Sequence, residues 1–206
     1  MEQNMNLEGM EQEKNLFEVL FGGSGEVESF APSMEVQAAE IREVFMDIPE
    51  LQFENWQNLD VNERVEALQQ LENEVAEIAH RPALEITAET MREGLMGQCG
   101  PYGIKINADA LASDSYGMYR ENLDTLFHEG RHAYQRHNVE TYTLGIGTVE
   151  ENQVMVQSWY DNYIEMGYET GDWPGYEDIG FLHYLNQPVE VDARVFADEV
   201  IRTLNV

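Results

Sequence analysis

In His128-Glu129-Gly130-Arg131-His132, two imidazoles stand four residues apart on either side of a glutamate. On a helix that spacing sets them about 40° apart on one face. Two histidines so placed hold one divalent cation such as Zn²⁺, with Glu129 beside them as a general base for an attacking water. An exposed helix carrying His, Glu and Arg needs no metal. The chain has only five histidines, however, and two of them take this spacing around a glutamate.

A catalytic zinc site takes a third protein ligand and leaves one position open. Glu150, Glu151, His183, Glu190 and Asp192 are the candidates. On a helix opening at Pro188, Glu190 shares the sector of Ala193, Ala197, Val200, Ile201 and Leu204, and Asp192 falls nearly opposite. A carboxylate on a core-facing stripe is expensive unless paired or metal-bound, so Glu190 ranks first. Glu150 and Glu151 fall away from the aromatic face of their helix. His183 stays open as a ligand, a donor or local structure. Tyr184, His183 and Arg131 are the candidates to stabilise a developing oxyanion, each with a structural role as its alternative. Asp124, one turn before His128, is placed either to accept from a ligand imidazole or to cap the surface.

The elements that must position these residues follow from periodicity. Residues 122–137 are predicted helical, with Leu123, Leu126, Phe127, Ala133 and Tyr134 on one side and the histidines, Asp124 and Gln135 on the other. Gly130 is costly inside a helix and signals close packing against a neighbour. Upstream, a helix is expected over 33–46. A second runs from 61 to about 80, opened by an Asp60/Glu63 capping box and striped by Val61, Val65, Leu68, Leu71, Val75 and Ile78. His80 reads as a helix-end charge. Alternation predicts strands at 84–87 and 102–107, with a connecting loop over 108–120. A loop at 140–147, a helix over 149–164 with Val149, Val156, Trp159, Tyr160, Tyr163 and Ile164 on one face, a turn-rich stretch at 167–180 and a helix over 188–204 complete the chain. The fold class is α+β, mostly helical, with a small sheet and a central helix bearing the histidine pair.

With 206 residues, the length suits one domain at 33–206, divided into a helical part (33–82) and a catalytic core (83–206). Residues 1–32 are acidic and glycine-containing, and read as a flexible tail whose apolar patch at 16–21 docks on the domain or on a partner. Eleven basic against forty acidic residues give a net charge of −29. That charge repels nucleic acid and anionic membranes; the acidity reads first as a solvated surface, and any protein or peptide substrate it draws in would be basic. Cys99 is the single cysteine, no apolar run approaches a membrane span, and the first residues lack a secretory signal pattern. The expected location is cytoplasmic, with export by a route lacking such a signal as the alternative.

The segment Glu190-Val191-Asp192-Ala193-Arg194-Val195-Phe196-Ala197 matches E-x-[ED]-A-x-x-F-A, the later motif of the ImmA/IrrE-like group. With the histidine pair, the chain thus resembles a zincin metallopeptidase of the two-histidine, one-glutamate type. From about 100 to 204 it is also similar to metallopeptidase domains of bacterial toxins and mobile elements. The resemblance implies a zincin-like fold, one Zn²⁺ per chain held by His128, His132 and Glu190, and Glu129 as catalytic base. Zinc peptidases place at this point an edge strand that pairs with an extended substrate, and an ordinary sheet strand is the alternative reading of 102–107. Fifty-seven residues lie between His132 and Glu190, a longer span than that group usually carries. The expectation is a zinc-dependent peptidase. Its rivals are a non-catalytic zinc-stabilised regulatory protein and a metal-free interaction module using the acidic surface.

Overall fold

The structure, a computed structural model, describes residues 31–170 and 177–206. The expected tail, apart from Ala31 and Pro32, and the turn at 171–175 lie outside the described residues. The chain forms two compact units, one from Ser33–Tyr134 with Phe196–Val206, the other from Gln135–Val195 with the described residues before Ser33.

The first unit begins with helix α1 (Met34–Met46), a 3₁₀ turn at Pro49–Leu51 and the single-turn α2 (Phe53–Trp56). Helix α3 (Val61–Ile78) opens on the expected capping box. Asp60 accepts from the N–H groups of Asn62 and Glu63, while Glu63 accepts from Asp60 N–H at 2.8 Å. Such a cap is worth about 1 kcal/mol. Leu68, Leu71 and Val75 are buried as expected, but so are Arg64 and Glu72. Arg64 donates to the carbonyls of Trp56 and Ser113 and to Asp114 Oδ1. Glu72 takes both Nη atoms of Arg81, at 2.6 and 2.8 Å, and the Leu84 N–H at 3.0 Å. Each buried charge on this helix therefore has a partner, and the apolar stripe alone understated how much of α3 is interior.

The sheet has three strands, β1 (Glu85–Glu89), β2 (Gly97–Cys99) and β3 (Gly103–Asn107), in the order β1-β3-β2. β1 runs parallel to β3, with Ile86 opposite Ile104, and β2 antiparallel, with Cys99 opposite Ile104. Of the two readings of the strand at 102–107, the structure has the ordinary sheet strand: β3 is the centre of the sheet, not an edge. β2 was missed because three residues beginning with glycine are too short to show alternation. Helix α4 (Ala108–Leu111), capped by Asn107, replaces the first part of the expected loop.

Helix α5 (Tyr116–Leu144) bears the histidine pair and extends beyond its expected span at both ends. At its start Tyr116 and Tyr119 pack with Phe53, and the Tyr119 hydroxyl donates to the Leu51 carbonyl at 2.7 Å. Aromatic packing makes helix here of residues that read as a polar connector. Leu123, Leu126 and Phe127 face a core shared with Ile41, Phe45 and Ile106, and with Phe196, Val200 and Leu204 from the end of α8.

The second unit holds the rest of α5, which stops before Gly145 in the left-handed conformation (φ +62°) favoured at helix ends. Helix α6 (Gln153–Tyr160) continues into a π-helical turn, Asp161–Glu165, and α7 (Glu177–Leu185) and α8 (Pro188–Leu204) follow. The π turn corrects the expected apolar face. Val156 and Trp159 are fully buried, but the widened turn carries Ile164 round to solvent at 59% exposure. Helix α7 lies partly where a turn-rich stretch was expected. α5 and α8 each run from one unit into the other. The molecule is α+β and mostly helical.

Candidate metal centre

The central part of α5 sets His128 and His132 one turn apart, as the spacing demanded. Their Nε2 atoms face each other at 3.1 Å, with the rings nearly perpendicular. Two nitrogens bound to one tetrahedral Zn²⁺ at about 2.0–2.1 Å stand roughly 3.3 Å apart. A hydrogen bond between the rings gives a similar separation, so the third donor matters. Glu190, in the first turn of α8, has 0% exposure. The ligand atoms offered by His128, His132 and Glu190 all lie within 4.8 Å of one another, the one such group among the described residues. A fully buried carboxylate beside two imidazole nitrogens suits a divalent cation, which neutralises the charge that burial makes costly.

Hydrogen bonds within the second unit hold Glu190 in place. Tyr168 donates its hydroxyl to Glu190 Oε1 at 2.6 Å. Burial, then the Glu190 charge, then Tyr184 push the Tyr168 hydroxyl well above the usual phenol range, so it remains a donor. Gln135, three residues after His132 on α5, donates to the Val189 carbonyl at 2.8 Å and to Asp192 Oδ2 at 2.7 Å, and accepts from Tyr163. Asp192 was expected nearly opposite Glu190, away from the core, yet it too is 0% exposed. The first turn of α8 is buried all round, so the helical wheel has no solvent side to assign.

Glu129 belongs to the first unit and meets the sheet there. Its Oε2 accepts the Cys99 N–H of β2 at 2.7 Å. Gly97 makes this approach possible, because a Cβ there would come within 2.4 Å of Thr125 Cγ2 and 3.3 Å of Glu129 Cγ. Gly130 packs closely, as its cost in a helix implied. Arg81 Nη2 lies 3.2 Å from where its Cβ would be, so the Glu72–Arg81 pair braces the helix between the two histidines.

Neither a family model nor a curated protein nor a solved structure matches the chain.

The remaining expected residues separate. Arg131 is buried, its guanidinium 4.4 Å from the Tyr134 ring centre and 5.0 Å from that of Phe196. The rings of Tyr184 and Tyr168 meet edge to face, their centres 6.3 Å apart. His183 lines a cavity with Glu169. Glu150 and Glu151 are not in the cluster. Two contributors escaped the sequence reading, Tyr168 and the backbone of β2, while Gln135 was placed on the histidine side without its partners. Tyr168 follows Gly167 (φ +83°) in a stretch without periodicity, and a main-chain donor leaves no mark in side-chain identity.

Proposed function

We propose that the protein is a zinc-dependent metallopeptidase of the two-histidine, one-glutamate kind, hydrolysing a peptide bond in a protein or peptide substrate. The observation that carries this reading is the convergence of His128, His132 and Glu190 beside a glutamate whose carboxylate is oriented by a strand backbone. His128, His132 and Glu190 would hold the ion. When bound, Zn²⁺ supplies Lewis-acid polarisation of the scissile carbonyl and makes water a better nucleophile at neutral pH.

Glu129 supplies the proton traffic. Cys99 N–H anchors one of its oxygens, and Oε1 takes the proton of the attacking water and delivers it to the leaving amine. Tyr184, whose ring packs against that of Tyr168, is the donor proposed here for the developing oxyanion. The Arg131 guanidinium is taken up by two aromatic rings. An intact general base favours a catalytic site over a purely structural one, which has no use for Glu129 and usually recruits four protein ligands. The net charge of −29 disfavours nucleic acid and anionic membranes as partners.

Metal analysis of the purified chain, wild type beside His128→Ala and Glu190→Ala, tests the site. A single Zn²⁺ is expected in the wild type and is lost in both variants. Glu129→Gln is expected to keep the ion and lower cleavage of a peptide library by about 10²–10⁴-fold. A wild type that takes up no zinc sinks the proposal, and zinc without any Glu129-dependent cleavage leaves a non-catalytic zinc protein.

A further inference from the structure

We propose that the open face of α7 is a docking groove for an apolar segment of this chain's own N-terminal region, residues 16–21. Ile179, Leu182 and His183 stand at i, i+3 and i+4 on α7 and line one cavity of about 460 Å³. Met166, which follows the π-helical turn, lines it as well. A helical stripe of this spacing is the side that packs against a neighbour. Here Ile179, Leu182 and Met166 stay 48%, 57% and 68% exposed.

The apolar surplus is local. Among the described residues, nine of the thirteen exposed large hydrophobic side chains lie within Gln135–Val195, although that unit is the smaller of the two. Apolar surface concentrated in this way marks an interaction site. No lysine or arginine lines the cavity, so its occupant is held by apolar contact and shape rather than by ion pairs to its acidic groups.

Three arguments make the occupant the chain's own segment. Leu16, Phe17, Val19, Leu20 and Phe21 put five apolar side chains into six residues of an otherwise acidic and polar stretch, and burying them is favourable. The segment also enters at the right unit. Ala31 and Pro32 belong with Gln135–Val195, and the Ala31 N–H donates to the Glu150 carbonyl at 2.9 Å. The ten residues from 22 to 31 reach about 33 Å when extended. A compact body the size of Gln135–Val195 is roughly 27 Å across, so its surface lies within that reach. Finally, a second copy would bring another net charge of −29 against the first. A tethered segment is already present at an effective concentration in the millimolar range.

The test uses the full chain with the photo-crosslinking residue p-benzoylphenylalanine in place of Phe17, its cross-links mapped by mass spectrometry. The expected product is a single chain linked to Met166 or α7, in a yield unchanged by about tenfold dilution. Hydrogen exchange on the unsubstituted chain gives a second reading. Leu182→Asp, with an unchanged circular dichroism spectrum, should lower the docked-to-free ratio of the amides of residues 17–21 at least about tenfold. Leu20→Asp, in the segment itself, should raise exchange along α7. Links between chains would assign the groove to a second copy, and links elsewhere, or none, would leave it to another partner; either result overturns the proposal, as does exchange that neither variant changes. None of these readings involves zinc, so the outcome is independent of the metal centre.

Discussion

Tyr168 shows how a single side chain outside the motif conditions the site. Its hydroxyl donates to one oxygen of a carboxylate that has no exposure to water, which fixes the carboxylate's rotation. Removing such a partner weakens metal binding without removing a ligand. Tyr168→Phe is therefore expected to lower zinc affinity about 10–100-fold, as read by competition with a chelating dye. An unchanged affinity with an unchanged circular dichroism spectrum would reduce Tyr168 to surface packing.

At the scale of elements, two close approaches hold α5 against its neighbours in the first unit. The Glu72–Arg81 pair ties the middle of α3 to the chain just after it and presses on Gly130. Both side chains are 1% exposed, so removing one strands the other's charge away from water. Glu72→Ala is expected to cost about 3–5 kcal/mol, measured as a lower urea midpoint; a loss below about 1 kcal/mol would show that the pair is not buried in solution. The second approach is that of β2 to α5 at Gly97. Gly97→Ala forces the Thr125 methyl or the strand to move and is expected to cost about 1–3 kcal/mol. Because β2 also carries the N–H that orients Glu129, the same variant should lose kcat more than zinc affinity. Equal zinc affinity and kcat in Gly97→Ala and wild type would separate the strand from catalysis.

For the whole molecule, the metal couples to folding. The three ligands come from two helices whose meeting exists only in the native state, so an ion that binds them stabilises that state by mass action. At zinc concentrations about 100-fold above Kd the gain is about 2.7 kcal/mol, or a rise in Tm of roughly 5–10 °C for a chain of this size. Calorimetry with zinc and then with chelator should show the rise and its reversal, and His128→Ala should show neither. A zinc-independent Tm in the wild type would contradict the ligand set. Among the described residues no helix is long and apolar enough to cross a membrane.

What the sequence determined by itself is whatever repeats along the chain or sits at a fixed local offset. The His128–His132 spacing, the Asp60–Glu63 box, the opening of α8 at Pro188 and the core-facing sector of Glu190 are all of this kind, because an α-helix repeats every 3.6 residues wherever it is placed. Contacts between distant segments left no such trace. The pairing of β2 with the far side of β3, the Cys99 N–H on Glu129, the Tyr168 hydroxyl on Glu190 and the Gln135 bonds to α8 join residues from 22 to 57 positions apart, leaving aside the sheet. Asp192 makes the point within a single helix. Its placement opposite Glu190 implied a solvent face, but tertiary packing closed round that turn on every side and supplied Gln135 as its partner. Periodicity identifies a buried face only when another face meets water, and here the surrounding structure removed that contrast.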